Sequence, residues 1–339
     1  KVTFSLIWPI VDSLQAWVNS AQSLRHCNHR NTASSLMPAT SSASNQRALI
    51  YALAAVGLWS TMATAFKWAL EFNTPMALIT LAATVSWCFF GVRVIVAGSL
   101  KSMREMNRAL ILRCLLLGLL NPAFYYWILF TAYDLLPAQD AMAINYTWGL
   151  TLPLVASLFS RALPTKYETG LALLSYLGIL VIATNGNLGR LEFDQPLGVA
   201  LALFSTVIWG LSWVVNSRIV DANNIDPELA LFLNFSAALP VLWIVTGLTG
   251  QLPSVSVGSL LGGLYVGLFE MGIAFVLWMN AMRLTDNPLR ISSLIFLAPP
   301  LSLLLIGTVL NETIAGSTLV GLVIILMGLA GQQWLDRAS

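Results

Sequence analysis

The sequence predicts an all-α membrane protein with ten transmembrane helices, arranged as two inverted five-helix repeats. Three observations support this fold class: the composition, a regular series of apolar stretches, and a similarity between the two halves of the chain. Of the 339 residues, 57% are hydrophobic and 9% are charged, whereas a soluble domain carries about 25% charged residues. A soluble fold of this length could not bury so much apolar surface, so the composition predicts a chain that crosses the membrane several times.

The composition also excludes several classes of site. The net charge is +2 and the sequence has no dense Lys/Arg run, so nothing indicates a nucleic-acid partner. Both histidines, His26 and His29, lie near the N-terminus. The cysteines, Cys27, Cys88 and Cys114, have neither metal-ligand nor redox spacing. We therefore predict no metal site, no cofactor and no disulfide.

Residues 1–47 differ from the rest of the chain. They are rich in polar residues and are expected to be disordered. The apolar start is broken by Pro9 and Asp12, which leaves it too short to span a bilayer. Because the chain begins with Lys, we expect Met37 to be the natural start and residues 1–36 to be upstream or non-native sequence. The alternative is a genuine tail that carries an interfacial helix.

Ten apolar stretches follow the tail. A hydrocarbon core of about 30 Å needs about 20 apolar residues per helix. Stretches of that kind predict a first repeat over residues 48–186 and a second over residues 196–335. The ten predicted spans are 48–70, 76–97, 108–133, 138–160, 167–186, 196–218, 228–249, 256–283, 288–310 and 314–335.

Most of the basic residues lie at those ends of the predicted spans that share one side of the membrane. If the N-terminus is placed in the cytoplasm, the opposite side receives Arg190, and Lys67 near the end of the first span. Lys and Arg concentrate on the cytoplasmic side of membrane proteins, so this distribution predicts that both termini are cytoplasmic. The basic residues on that side are Arg47, Lys101, Arg104, Arg108, Arg161, Lys166, Arg218, Arg283, Arg290 and Arg337.

The two halves of the chain align with each other. ALAAVGLWSTMATAF aligns with LALFSTVIWGLSWVV, and LGLLNPAFYYWILFTA aligns with VGLFEMGIAFVLWMNA, at the same offset to within one residue. Because five spans is an odd number, the second repeat enters the membrane from the opposite side. Inverted repeats of this kind favour alternating access around a central site. The aligned pairs include Trp59 with Trp209, Gly118 with Gly267, and Asn121 with Glu270.

The second repeat also resembles a known family. MGIAFVLWMNAMRLT, followed by SSLIFLAPPLSLLLIGTVLNETI, is similar to the EamA-like branch of the drug/metabolite transporter superfamily. The resemblance extends over about residues 48–335. The first repeat departs from the pattern, because Arg161-Ala162 stands where the second repeat has Asn311-Glu312. The matching positions are Ala274, Trp278, Ala281, Pro299, Pro300 and Glu312.

This resemblance implies a protein that moves small metabolites, usually outward, across the bacterial cytoplasmic membrane. The short stretches LWST and INYTW are also similar to an aromatic amino-acid exporter of the superfamily, but they do not establish a substrate. The implied partners are a small-molecule substrate, the surrounding lipid and, as a possible coupling ion, the proton.

Glu270 is the sharpest candidate for a substrate-binding residue, because it lies near the middle of the eighth predicted span. A charge at mid-bilayer costs about 2.5–3.5 kcal/mol on insertion scales, so the side chain should face a cavity or a partner. One interpretation is a protonatable group that contacts a substrate amine or couples transport to protons. The other is a protonated or hydrogen-bonded glutamate that joins helices.

The other predicted substrate-binding residues are polar or aromatic groups at mid-depth. In the fourth span, Asn145, Trp148, Gly149 and Leu152 share one helical face, where Asn145 and Trp148 would offer a hydrogen bond beside a flat ring. The alternative is a structural role, in which these groups pack helices together and the hydroxyls donate hydrogen bonds to carbonyls of their own helix. The remaining candidates are Trp59, Ser60, Thr61, Asn121 and Trp209. Weaker candidates are Tyr125, Tyr126, Trp127 and Trp278.

Two proline sites are predicted to act in gating. Pro153 removes the backbone donor for the Gly149 carbonyl, so we expect a flexing point at 149–153. Pro299 and Pro300 break the ninth span, where a gating kink and a static bend are both open.

Taken together, the residues predict a secondary transporter, most plainly an exporter of small metabolites such as amino acids. No GxxxxGK[ST] motif is present, which argues against direct use of ATP. Uptake, facilitated diffusion and another metabolite or drug are the alternatives. An intramembrane enzyme is less favoured, because the spans carry no HExxH motif, paired aspartates or Ser/His pair.

Overall fold

The computed structural model describes residues 42–160, 165–188, 195–285 and 291–338. Within these ranges every regular element is a helix. Most of the predicted N-terminal tail, with Met37, lies outside the described residues, as does Arg161-Ala162.

The α-helices are numbered here in chain order, and described helices fall within each predicted span. Two π-helical segments, Leu119–Phe124 and Val266–Ile273, and one 3-10 helix, Ser293–Leu297, interrupt the α-helical pattern. The α-helices are α1 Ser42–Ser60, α2 Met62–Leu70, α3 Pro75–Val96, α4 Leu100–Glu105, α5 Arg108–Gly118, α6 Tyr125–Leu135, α7 Ala138–Asn145, α8 Trp148–Ser160, α9 Lys166–Ala183, α10 Pro196–Asn223, α11 Pro227–Leu248, α12 Val257–Tyr265, α13 Ala274–Leu284, α14 Ala298–Val309 and α15 Gly316–Ala338.

Six continuous helical stretches among the described residues are long and apolar enough to cross a membrane. They are Ser44–Leu70, Pro75–Val96, Arg108–Leu135, Pro196–Asn223, Pro227–Leu248 and Val257–Leu284. Three further apolar helices are shorter: Thr169–Ala183, Ser293–Val309 and Gly316–Gly331. The chain is therefore an all-helical membrane protein.

Helix ends follow the capping residues of the sequence. Thr74 accepts a hydrogen bond from the Ala77 amide at 3.2 Å, and Asn107 accepts one from the Leu110 amide at 2.8 Å. Both side chains satisfy a backbone donor that the first helical turn leaves free. At the other end of a helix, Asn224 has a left-handed backbone and ends α10.

Some boundaries differ from the sequence-based prediction. α1 begins at Ser42 rather than at residue 48, and α10 continues to Asn223 rather than ending at residue 218. The short helix α4 lies in a connection where we predicted none. These differences arise at span ends, where polar residues can form helix without being apolar enough to register as membrane-spanning.

The helix contacts follow the symmetry of the two repeats: exchanging the repeats turns each contact into another observed contact or into itself. α1 packs on α13, and its counterpart α10 packs on α6. α3 packs on its own counterpart α11, and α9 packs on α15. The internal similarity of the sequence is thus matched by the way the helices pack.

Two aligned glycines lie at close helix crossings. A Cβ atom at Gly118 would collide with the backbone of Asn234 in α11, and one at Gly267 would collide with the carbonyl of Ala82 in α3. The two crossings are again related by exchange of the repeats. Small residues of this kind let membrane helices approach closely.

We predict that Gly118→Ala and Gly267→Ala destabilise the protein by about 1–3 kcal/mol, because each added methyl forces two backbones apart. Thermal unfolding in detergent would measure this as a lower midpoint. The matched controls are Gly57→Ala and Gly247→Ala, since neither position has a neighbour within 4 Å of the new Cβ. Equal midpoints for all four variants would contradict the prediction.

Candidate functional site

A cavity of about 370 Å³ lies between the two repeats. The first repeat contributes lining residues from α1, α2, α6, α7 and α8, and the second contributes them from α10, α13 and both irregular segments. Its volume falls near the lower end of the roughly 300–1,000 Å³ typical of small-molecule sites. The cavity can therefore enclose one small solute.

Nine of the 21 residues that line the cavity are aromatic. The ring of Trp209 lies 4.9 Å from that of Tyr125 and 6.3 Å from that of Trp148, measured between centroids. Trp59 and Trp278 lie 5.2 Å apart. All five residues line the cavity. Flat rings of this kind offer an apolar surface whose faces also attract cations.

Glu270 lies on the cavity wall within the π-helical segment Val266–Ile273. Its side chain is only 8% exposed. One carboxylate oxygen, Oε1, accepts a hydrogen bond from the Tyr126 hydroxyl at 3.2 Å. The other, Oε2, has no hydrogen-bond partner among the described residues. Glu270 thus joins two helices through one oxygen, and its other oxygen is buried without a hydrogen-bond partner among the described residues.

The π-helical segment that carries Glu270 is held from the side by α3. The Ser86 hydroxyl donates a hydrogen bond of 2.9 Å to the Gly267 carbonyl. A π-helical turn displaces carbonyls from the regular α-helical ladder, and such turns recur at functional sites. The bond to Ser86 fixes the turn that orients the Glu270 side chain.

Asn145 and Trp148 both line the cavity, as their shared face predicts. The Asn145 amide donates a hydrogen bond of 3.3 Å to the hydroxyl of Ser205 in α10. Gly149, which the sequence places on the same face, instead lies against Leu329 of α15, where an added Cβ would collide with that side chain, whereas Leu152 also lines the cavity. The fourth predicted span therefore presents polar and aromatic groups to the cavity and a glycine to its neighbour.

Three predicted site residues lie outside the cavity lining. Ser60 and Thr61 donate hydrogen bonds to carbonyls of their own helix, Gly57 at 2.7 Å and Leu58 at 2.6 Å. Asn121 donates a hydrogen bond of 3.0 Å to Ser212 and lines a separate small pocket. The structure therefore does not bring these three residues together with Glu270, although Asn121 is its counterpart in the first repeat.

The predicted gating residues lie next to irregular backbone rather than within it. Pro153 lies inside α8, and the helix is interrupted about two turns earlier, at Tyr146 and Thr147. There the Thr147 hydroxyl bonds to the Ile144 carbonyl at 2.7 Å, and this local bond competes with the regular helical pattern. Pro299 and Pro300 lie in the first turn of α14, directly after the 3-10 helix, where proline is well tolerated.

Some lining residues were missed or ranked low by sequence reasoning. Trp213 and Arg218 were not predicted, although Trp213 lies one helical turn after Trp209 on the same face. Tyr125 and Trp278 were weaker candidates. The buried indole nitrogen of Trp213 is a second cavity-wall group with no hydrogen-bond partner among the described residues.

The two ends of the cavity differ. At one end its lining includes exposed Ser217 and half-buried Arg218, so it reaches the protein surface there. At the other end it is bounded by the buried side chains of Phe66, Tyr133 and Met142. The cavity is therefore open at the end where α8 and α10 finish, and closed at the other.

A polar network lies beyond the closed end. The Gln139 side-chain nitrogen donates a hydrogen bond of 2.9 Å to the Glu312 carboxylate, and the Gln139 side-chain oxygen accepts one of 2.8 Å from the Ala315 amide. The Thr318 hydroxyl donates 2.7 Å to Asp140. We call Gln139, Asp140, Glu312, Ala315 and Thr318 the end network; it joins the start of α7 to the turn between α14 and α15.

Two charged groups complete this end of the molecule. The Glu312 carboxylate also accepts from the Ala138 amide at the start of α7, where the helix dipole favours a negative charge. The Lys67 ammonium donates to the carbonyls of Tyr133 and Leu136, both at 2.7 Å, at the end of α6. A cation stabilises the free carbonyls of a helix C-terminus.

Comparison with known proteins adds a family. The model of the EamA-like transporter family matches this chain twice, over residues 46–184 and 196–331. A Salmonella typhimurium protein described as a probable amino-acid metabolite efflux pump is 26% identical over 188 residues, which are 53% of this chain and 61% of that protein. The chain therefore spans less than two thirds of that relative.

Two further similarities are broader in coverage. A Bacillus subtilis protein described as an uncharacterized transporter, YvbV, is 24% identical over 264 residues, which are 75% of this chain and 84% of that protein. A solved crystal structure shares the fold with a TM-score of 0.57 at 22% identity, over 86% of this chain and 98% of that one. Because the family model covers both halves of the chain, the protein belongs to the EamA-like transporter family.

Proposed function

We propose that the protein is a secondary transporter that exports small metabolites such as amino acids by alternating access. The observation that carries this proposal is the cavity between the repeats, with Glu270 and Asn145 on a wall that is mainly aromatic and aliphatic. A few polar groups in an apolar pocket of this size are typical of a site for one small solute. The relative described as an amino-acid metabolite efflux pump supports the same substrate class.

Alternating access is supported by the symmetry of the irregular helices. The two π-helical segments, Leu119–Phe124 and Val266–Ile273, lie at equivalent positions of the two repeats. The interruption at Tyr146 and the 3-10 helix Ser293–Leu297 form a second such pair. We propose ten membrane crossings in two inverted repeats, so that exchanging the conformations of the repeats would open the cavity to the other side.

The distribution of basic residues indicates which side of the membrane the open end of the cavity faces. With the termini in the cytoplasm of a bacterial cell and the chain in its cytoplasmic membrane, the open end with Ser217 and Arg218 faces the cytoplasm. The closed end and the end network then face outward. An exporter loads its solute from the cytoplasm, and an inward-open cavity suits that step.

Transport in proteoliposomes tests the proposal directly. Purified protein reconstituted in liposomes should accelerate the exchange of at least one amino acid or related amine from a panel, relative to protein-free liposomes. A folded protein that moves no solute in the panel would contradict the proposal.

We predict that Asn145→Leu weakens the apparent affinity for a transported solute about threefold to tenfold. The substitution removes a polar group from the cavity wall, and one hydrogen bond contributes roughly 0.5–1.5 kcal/mol net. The concentration dependence of transport measures the change. Asn280→Leu is the matched control, because Asn280 bonds to the Val276 carbonyl of its own helix. Equal effects at both positions would argue against Asn145 as a contact.

We predict that Gln139→Ala opens the closed end more often, because it removes the hydrogen bonds of Gln139 to Glu312, Thr313 and Ala315. Met142 is buried and lines the cavity near that end. Met142→Cys, in a chain whose own cysteines are replaced, should react with an external impermeant maleimide roughly tenfold faster when Gln139→Ala is added.

The control for this labelling is Ser99→Ala. It removes a 2.7 Å hydrogen bond to Asp226 at the opposite side of the bundle, so external labelling should not rise. If Gln139→Ala leaves the labelling rate unchanged, the end network does not hold the cavity closed.

A further inference from the structure

We propose that the cavity recognises a protonated amine. In this inference the solute is an organic ammonium ion with an apolar body, its nitrogen bound by Glu270 and its body held among the aromatic rings. The inference rests on the proposed function and names the chemical class of its substrate.

The first argument is the free oxygen of Glu270. A buried carboxylate is strongly disfavoured unless its oxygens are hydrogen-bonded. The structure supplies one donor, the Tyr126 hydroxyl, to Oε1, and none of the described residues donates to Oε2. An ammonium group carries three donors and a positive charge, so it would satisfy Oε2 and neutralise the carboxylate together.

The second argument is the surroundings of that carboxylate. Tyr126, which bonds to Glu270, lies 4.6 Å from Tyr125, and Tyr125 lies 4.9 Å from Trp209, ring to ring. Trp209 in turn adjoins Trp213 at 5.4 Å. The Glu270 carboxylate therefore lies beside clustered aromatic rings, and the faces of such rings attract ammonium ions.

The third argument is the position of the opposite charge. Among the described residues that line the cavity, the cationic side chain is Arg218. It lies nine residues after Trp209 in α10, which is about 13 Å along the helix at 1.5 Å per residue. Its guanidinium is placed over the Phe159 ring at 5.0 Å.

An α-carboxylate next to an amine bound beside Trp209 is separated from Arg218 by more than two turns of α10, and the Arg218 guanidinium lies over the Phe159 ring. The described residues near these rings then offer such a carboxylate neutral donors, among them the Asn145 amide and the indole N–H of Trp213. A neutral donor suits an amide or carbonyl oxygen better than a full negative charge. The geometry therefore favours a solute with one positive charge over the zwitterion of the same body.

Four probes share the leucine side chain and differ in charge, so they separate the contribution of the ammonium group from that of the carboxylate: leucinamide, leucine, N-acetylleucinamide and N-acetylleucine. At neutral pH they are mainly cationic, zwitterionic, neutral and anionic, respectively. Their binding can be followed by the intrinsic fluorescence of the cavity tryptophans, since none of the probes fluoresces. We expect leucinamide to bind most tightly, leucine next, and both N-acetylated probes at least about tenfold more weakly than leucinamide.

The Glu270→Gln variant tests the residue. It should lower the affinity for leucinamide to about that for N-acetylleucinamide, while the affinity for N-acetylleucinamide stays the same. If Glu270 had a purely structural role, Glu270→Gln would lower the affinity for both probes by the same factor. Glu105→Gln, which changes an exposed glutamate of α4, should leave the whole ranking unchanged.

The outcomes separate this inference from the proposed function. If the unmodified protein binds and transports the four probes without preference, or prefers an N-acetylated one, the ammonium proposal is overturned while transport stands. The same holds if Glu270→Gln keeps the preference for leucinamide. If none of the probes binds or crosses the membrane, both proposals fail for this class of solute. The ranking in the unmodified protein is decisive even if the variant does not fold.

Discussion

Inside a bilayer every backbone polar group must find a hydrogen-bond partner within the protein. The positions where regular helical hydrogen bonding is interrupted determine where the cavity lies. Most of the chain satisfies this requirement with regular α-helix. Irregular backbone is tolerated in a membrane only where it is buried or lines a cavity. Lining residues occur within or directly beside each of the interruptions: at Thr61, at 119–124, at 146–147, at 266–273 and at 293–297.

The interruptions also explain how the repeats can resemble each other and still differ in function. Glu270 and Asn121 occupy equivalent π-helical segments, but Glu270 reaches the cavity and Asn121 bonds to Ser212. A symmetric backbone thus carries an asymmetric pair of polar groups. This asymmetry gives the cavity one acidic side, which a site made of two identical halves would not have.

The fold could be predicted from the sequence because its causes are local and repeated. Apolar length, turn residues and paired tryptophans are visible without a structure, and the placement of Asn145 and Trp148 on one face follows from helical periodicity alone. The sequence predicts a flexing point at 149–153, and the helix is interrupted at 146–147. A proline is easy to recognise in a sequence, whereas a threonine hydroxyl that bonds to its own helix is not.

The rest of the site depends on contacts between distant residues, which one sequence does not reveal. Tyr126 meets Glu270 across 144 residues, and Gln139 meets Glu312 across 173. Trp213 and Arg218 resemble ordinary residues of a membrane helix until α10 is placed against α8. Ser60 and Thr61 are predicted site residues whose hydroxyls bond to carbonyls of their own helix, and Thr61 also bonds to the Tyr265 hydroxyl of α12.

A structure of the protein in a lipid nanodisc with leucinamide bound would test the central claim most directly. The account predicts density for the solute in the cavity, with its nitrogen within hydrogen-bond distance of Glu270 Oε2 and its side chain against Trp209. Density in the small pocket beside Asn121, or an unoccupied cavity at saturating leucinamide, would contradict it.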